Sequence, residues 1–119
     1  MRDHSELTLR KQSDFARVYK QGKSKGGRFA VILYRRNGLK YTRTAFVSSK
    51  KVGNSVERNR YRMLMKAAYK VIKPNVKSGY DIIFVARNAI IGCKEPELEK
   101  QLKKSLESAG ILTGNNNEK

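Results

Sequence analysis

Cysteine, histidine, tryptophan and acidic side chains are scarce in this chain, which has one Cys, one His and no Trp in 119 residues. The single cysteine, Cys93, excludes an intrachain disulfide, and with His4 as the only imidazole the chain cannot supply the ligands of a structural zinc site. No apolar run reaches the roughly 20 residues of a membrane span, and the first twenty residues lack a signal-peptide core. We therefore expect a soluble, cytoplasmic protein.

The shortage of acids leaves a large positive charge. Ten Asp and Glu oppose 27 Lys and Arg, which gives a formal net charge of +17. Such an excess repels itself in a compact monomer, whereas binding to phosphates releases counterions, so nucleic acid is the first expected partner and an anionic membrane surface the second. With 39% apolar residues, we predict a single RNA-binding domain over residues 1–112 and a polar, disordered tail over residues 113–119.

Hydrophobic periodicity and turn residues predict the secondary structure. Helices are expected over residues 8–21, from Asn54 to about Lys73, and over residues 96–109. Strands are expected over residues 29–34, 42–48 and 80–87, the first two forming a hairpin through Asn37-Gly38. Residues 22–28 are expected to be a flexible basic loop. The predicted fold is an α+β, two-layer sandwich of order α-β-β-(β)-α-β-α, in which helices cover one sheet.

The second helix carries the most distinctive pattern. Asn54 and Glu57 have the spacing of a capping box, which places the helix start at Asn54. Between residues 50 and 73 there are eight basic residues and one acid. One set of these basic residues recurs every four positions and therefore forms a stripe along the helix: Arg58, Arg62, Lys66 and Lys70. The apolar residues predicted to form its buried side are Val56, Met63, Leu64, Ala67, Ala68 and Val71.

The stripe and the trio Arg58-Asn59-Arg60 are suited to structured RNA. Arg matches two phosphate oxygens with a planar fork, and Asn can contact phosphate, 2′-hydroxyl or a base edge. Like charges four residues apart repel one another, a cost that an anionic ligand along the helix would offset. On the first helix, Phe15 and Tyr19 lie one turn apart and could stack on bases, although the same spacing also fits a core.

Residues 49–60, read as SKKVGNSVERNR, closely resemble the signature of the bacterial ribonuclease P protein family. Two further blocks agree in the correct order: residues 14–22 (DFARVYKQG) resemble the first helix and loop of the family, and residues 80–87 (YDIIFVAR) its final strand. The resemblance implies a left-handed β-α-β crossover. It also implies an RNA-binding subunit of an endoribonuclease in which a catalytic RNA, which requires Mg²⁺, removes the 5′ leader of precursor tRNA.

By resemblance, residues of this chain take two binding roles. Those expected to face the catalytic RNA are Lys50, Lys51, Asn54, Arg58, Asn59, Arg60, Arg62 and Lys66. Those expected to bind the single-stranded leader are Phe15, Tyr19, Arg17 and Tyr34, where Tyr34 is preferred over Ile32 and Leu33 as the cleft residue of the first strand. The protein itself is expected to bind no metal, cofactor or small-molecule substrate.

The chain lacks the residues for RNA cleavage of its own. A metal-independent site needs an acid and a base, commonly two His, and only His4 is present. The one acidic cluster, Glu95, Glu97 and Glu99, is accounted for by a helix start, where acids favour the macrodipole. We therefore expect an inert protein that acts through its RNA. A ribosomal-type structural RNA-binding protein is the alternative that composition alone leaves open.

Overall fold

A computed structural model of the protein describes residues 8–113. Its elements, in chain order, are α1 (Gln12–Gln21), β1 (Lys23–Lys25), β2 (Ala30–Arg36), β3 (Arg43–Val47), α2 (Ser55–Ile72), β4 (Tyr80–Ala86) and α3 (Glu95–Ser108). This α+β order confirms the predicted one, including the optional third strand before the second helix. The first helix begins at Gln12 rather than at Thr8, because residues 8 and 9 instead run beside β3, where the Leu9 amide donates to the Thr44 carbonyl at 3.0 Å.

The four strands form one sheet in the order β1-β2-β4-β3. The predicted hairpin between β2 and β3 is wrong: β4 lies between them, antiparallel to β2 and parallel to β3. A physical reason is visible in the residues of β4. Its four central residues, 81–84, are all buried, so this strand gains most from an interior position with neighbours on both sides.

The segment expected to be a flexible loop contains a strand. Lys23–Lys25 pairs antiparallel with β2, with Lys23 opposite Tyr34 and Lys25 opposite Ile32. All three residues of β1 are exposed. Lysines on a short outer strand discourage pairing with another chain, so the composition that suggested a loop is also that of a protected sheet edge.

Helices lie on both faces of the sheet, which refines the expected two-layer arrangement. On one face α2 and α3 cover the main core, where Met65 and Leu102 pack with Ile32 and Phe84 of the strands. On the other face α1 covers a smaller core, in which Val18 packs with Ile83. The main core also contains Phe29 and, at its margin, Phe46.

The buried side of α2 differs from the predicted one. The residues that it buries are Tyr61, Met65, Ala68, Tyr69 and Ile72. Of the residues predicted to be buried, Val56, Met63 and Val71 are 75%, 51% and 55% exposed. The helix carries two apolar stripes of similar spacing, and the larger Tyr and Met side chains occupy the core.

Helix α2 connects β3 to β4, which are parallel neighbours. The left-handed sense of this crossover stays a prediction. At the C-terminal end Thr113 is held against Asn75, its amide 2.7 Å from the Asn75 carbonyl oxygen, so the predicted tail begins no earlier than residue 114. Residues 114–119, together with residues 1–7 and His4 among them, lie outside the described residues.

Candidate nucleic-acid interface

A short 3₁₀ turn, Lys50–Val52, presents the two lysines of the motif. The Ser49 hydroxyl accepts from the Lys51 amide at 3.3 Å, and Val52 anchors the turn with a side chain only 1% exposed. Gly53 follows with φ 145°, and a Cβ there would collide with the Glu57 side chain. The turn is therefore defined by its backbone, while the side chains of Lys50 and Lys51 remain exposed.

The predicted capping box is confirmed at the start of α2. The backbone N–H of Glu57 donates to Asn54 Oδ1 at 3.0 Å, and the backbone N–H of Asn54 donates to Glu57 Oε1 at 3.2 Å. Glu57 is the one acid between residues 50 and 73, and this bond gives it a structural role. Because the cap uses the side-chain oxygen Oδ1 of Asn54, the expected RNA contact of this residue would come from its side-chain nitrogen Nδ2.

The trio at residues 58–60 points in more than one direction. Arg58 is half-buried and donates from Nη1 to the Gly53 carbonyl at 3.3 Å, which ties the helix to the motif turn. Asn59 and Arg60 are exposed on the outer side of α2. Arg62 reaches back to Asn59, with Nη2 3.0 Å from Oδ1. The outer surface of the motif is thus made of Lys50, Lys51, Asn59 and Arg60.

The continuation of the basic stripe faces a groove rather than open solvent. This groove, called here the β3 groove, lies between α2 and the outer edge of β3. Its upper part is lined by Thr8, Leu9, Phe15, Thr44, Ala45, Phe46, Arg62, Met63 and Lys66, and its lower part by Thr8, Thr44, Phe46, Lys66, Tyr69, Lys70 and Lys73. Every charged residue in these two linings is basic. The groove therefore combines aromatic walls with a row of positive charges, as single-stranded nucleic acid requires.

An ionic network fixes α1, the helix that supplies Phe15. Arg43 binds Asp81 with two hydrogen bonds, from Nε at 2.9 Å and from Nη2 at 2.8 Å. Its Nη1 reaches Asp14 of α1 at 3.3 Å, and Arg17 donates to the other Asp14 oxygen at 3.2 Å. The hydrogen bond to Asp81 raises the pKa of the Arg43 guanidinium above its usual value. Helix α1 is therefore joined to β3 and β4 by a partly buried network of charges.

The residues predicted to bind the leader are not all brought together. Phe15 lines the β3 groove beside Arg62 and Lys66. Tyr19 is 54% exposed, one turn further along α1, and Arg17 is engaged by Asp14. The placement of Tyr34 in the same cleft is wrong: its side chain is 8% exposed in the main core, under α2 and α3. Because strand residues alternate, Leu33 is the residue of β2 that packs, like Phe15, against the smaller core.

Three groove residues escaped the sequence prediction. Phe46, which was given no binding role, borders both the core and the groove. Lys70 was included in the basic stripe without a binding role, and Lys73 only in the charge count. The spacing 62, 66, 70 and 73 was the signal that could have added Lys70 and Lys73 to the site, since these positions share one helix face.

Between Thr8 and Thr113 no helix is both long and apolar enough to cross a bilayer. Within the same span no three side chains of the metal-binding types His, Cys, Asp and Glu come together as a cation site.

The family model described as Ribonuclease P matches residues 4–110 of the chain. The ribonuclease P protein component of Alkaliphilus oremlandii is 39% identical over 104 residues, which cover 87% of this chain and 91% of the relative. That of Thermoanaerobacter sp. is 36% identical over 109 residues, 92% of this chain and 94% of the relative.

Solved structures agree with these sequence matches. The RNase P protein of Staphylococcus aureus superposes with a TM-score of 0.80 at 29% identity, covering 90% of this chain and 98% of that one. The RNase P protein of Thermotoga maritima superposes with a TM-score of 0.77 at 26% identity, covering 85% and 96%.

Proposed function

The chain belongs to the ribonuclease P protein family, and from this premise we propose which RNA each of its surfaces binds. It is a protein subunit of ribonuclease P, an endoribonuclease that processes tRNA. We propose that the outer surface of the motif binds the catalytic RNA and that the β3 groove receives the 5′ leader of precursor tRNA. The proposed setting is the cytoplasm.

The observation that carries this assignment is the composition of the groove. Phe15 and Phe46 supply aromatic rings, and Arg62 and Lys66 supply positive charge in the same lining. A single strand presents base faces and backbone phosphates at once, and each stacked base contributes roughly 1–3 kcal/mol. Arg62 and Lys66, which resemblance alone would assign to the catalytic RNA, are therefore proposed to contact the leader.

The outer surface has the chemistry of a phosphate-binding face. Lys50 and Lys51 stand on a backbone-defined turn, and Arg60 lies exposed on the adjoining first turns of α2. Structured RNA offers phosphates and 2′-hydroxyls to such donors, and Asn59 can bond either group. Arg58 and Asn54 are proposed to take part from the rim of this face.

We further propose that the RNA performs the cleavage, with the Mg²⁺ that it requires, and that the protein contributes binding alone. The state of the buried acids near α1 supports this division. Asp14 and Asp81 are both engaged by the Arg43 guanidinium, which occupies oxygens that a general base or a metal ligand would use. A ribosomal-type structural role, the alternative, is favoured by none of the relatives described above.

Reconstitution tests the proposal. The cognate catalytic RNA is assayed for precursor tRNA cleavage at low Mg²⁺, alone and with the protein, using substrates with a long leader and with a leader of one nucleotide. We expect the protein to increase kcat/KM, and to do so more for the long leader. No increase for either substrate would contradict the function, whereas an equal increase for both would contradict the leader assignment only.

A further inference from the structure

A second basic cavity lies at the other side of the molecule, between α3 and the loop that joins β1 to β2. We call it the α3 pocket. Its lining residues are Lys25, Gly26, Gly27, Arg28, Gln101, Lys104, Ser105 and Ser108. It has a volume of about 420 Å³, and neither the family resemblance nor the motif pointed to it.

The loop that forms one wall of the α3 pocket is held in place. Gln101 Oε1 accepts from the amides of both Phe29 and Ala30 at 2.9 Å, while its Nε2 donates to Ser105 Oγ at 2.9 Å. From the other side, Arg87 Nη1 donates to the Gly27 carbonyl at 3.2 Å. A Cβ on Gly27 would meet the end of the Gln101 side chain, which its hydrogen bonds hold in place. The pocket is thus shaped before any ligand binds.

The charge of the α3 pocket is entirely positive. Lys25 is the last residue of β1, Arg28 comes from the loop and Lys104 from the helix, and the rest of the lining is glycine, serine and glutamine. Helix α3 as a whole is nearly neutral, since it has Glu at 95, 97, 99 and 107 and Lys at 100, 103 and 104. The acids at 95, 97 and 99 lie at the start of the helix, whereas Lys104 lines the pocket and Glu107 does not.

The α3 pocket is continuous with the motif surface. Arg28 lines it and also lines the next cavity, which is formed with Ser49, Lys51, Arg87 and Asn88. The guanidinium of Arg28 lies 5.3 Å from the centre of the Phe29 ring, which supports its position between the two cavities. Basic side chains thus extend from the Lys50–Val52 turn to the C-terminal half of α3.

We propose that the α3 pocket is a second phosphate-binding site for the catalytic RNA. The RNA backbone that meets the motif turn continues past Arg87 and Arg28, and a phosphate enters between Lys25 and Lys104. The two ammonium groups neutralise it, and the exposed Ser108 hydroxyl can donate a hydrogen bond. This inference rests on the proposed function, since the same RNA occupies both ends of the surface.

Two double variants of equal charge test the inference. Lys25→Gln/Lys104→Gln removes both ammonium groups of the α3 pocket. Lys100→Gln/Lys103→Gln removes the same charge from exposed positions of α3 outside it. The dissociation constant for the catalytic RNA is measured from 0.1 to 0.5 M salt for both variants and the wild type, after melting curves have checked that all three are folded.

We expect the pocket variant to bind more weakly and to reduce the slope of log K against log salt by about one, because one RNA phosphate is no longer neutralised. The control should retain the wild-type slope. Equal slopes for the two variants would overturn the inference, as would a loss of precursor tRNA affinity in the holoenzyme without any loss for the catalytic RNA. A wild-type protein that does not bind the catalytic RNA would instead contradict the proposed function, and the inference with it.

Discussion

Two explanations compete for the aromatic ring of Phe15: packing in the hydrophobic core and stacking on an RNA base. Its ring is half-buried against the smaller core and also lines the β3 groove. If it stacks on a leader base, Phe15→Leu removes the stacking while keeping most of the apolar volume. We expect the affinity of the holoenzyme for precursor tRNA to fall about five- to 150-fold, which corresponds to roughly 1–3 kcal/mol. Fluorescence titration measures it.

Mature tRNA is the control substrate for Phe15→Leu. Affinity for mature tRNA, which lacks the leader, should not change, because the β3 groove is then empty. Tyr19→Leu provides a second comparison on the same helix, since Tyr19 is exposed but does not line the groove. Equal losses for precursor and mature tRNA, or a loss of the folded state, would assign Phe15 to the core alone.

The pKa of the Tyr69 hydroxyl depends on how far the side chain is buried beside the β3 groove. Its ring packs 5.1 Å from that of Phe84 and 6.0 Å from that of Phe46, and burial raises the pKa of its hydroxyl to about 12. Below pH 10 the group is protonated in the folded and the unfolded state alike. Between pH 10 and 12 only the unfolded state loses the proton, so stability falls over this range by up to about 1.4 kcal/mol per pH unit.

Tyr69→Phe should remove this part of the alkaline destabilisation. Urea unfolding at pH 9, 10 and 11 gives the comparison, and the difference between wild type and variant cancels the titration of the lysines, which both proteins share. We expect the free energy of unfolding of the variant to increase relative to that of the wild type as the pH rises from 10 to 11. A constant difference would show that the Tyr69 hydroxyl is solvated in the folded protein.

At the scale of elements, the start of α2 has to serve folding and binding together. Asn54→Ala removes the acceptor of the cap and should cost about 1 kcal/mol in the free energy of unfolding. Asn54→Asp keeps an acceptor and adds a negative charge at the positive end of the helix dipole, so stability should be retained. If Asn54 also contacts RNA, both variants lose affinity for the catalytic RNA.

Urea unfolding and RNA titration separate the two roles of Asn54. Stability should distinguish the alanine from the aspartate variant, whereas RNA affinity should fall in both, and further in the aspartate variant because its charge repels phosphate. Full affinity of Asn54→Asp would limit the residue to capping the helix.

Local signals allowed most elements to be predicted, because their causes lie within a few residues. The cap at Asn54 and Glu57 and the end of α3 before Gly110, which has φ 78°, were read correctly from neighbours in the sequence. The pairing of β3 was not. Asn37-Gly38 indicates a turn but cannot specify which strand comes next to β2, and the partner of Arg43 is Asp81, far along the chain.

Only part of the candidate site could be predicted from the sequence. The motif turn was found as a linear pattern, since Lys50 and Lys51 act from adjacent positions. The β3 groove was not, because it joins Phe15 to residues of α2 and β3 that no spacing connects. Tyr34 shows the sensitivity of strands to register: a shift of one residue transfers the prediction to Leu33, on the opposite face of the sheet.

At the scale of the whole molecule, the net charge of +17 should give salt opposite effects on folding and on RNA binding. The described part of the chain measures 37 × 36 × 32 Å, and the Debye length is about 30 Å at 0.01 M salt but about 10 Å at 0.1 M. At low salt almost every positive charge therefore repels every other. The attractive network of Arg43 is partly buried, so salt weakens it less.

We therefore expect the melting temperature of the free protein to rise as NaCl increases from 0.01 to 0.5 M, while affinity for the catalytic RNA falls over the same range. Circular dichroism melts and RNA titrations in the same buffers measure the two effects. Screening predicts that most of the thermal gain comes below about 0.2 M, where the Debye length shortens fastest. A gain that is linear in salt would indicate a solvent effect instead, and a falling melting temperature would mean that attractive surface pairs outweigh the repulsion.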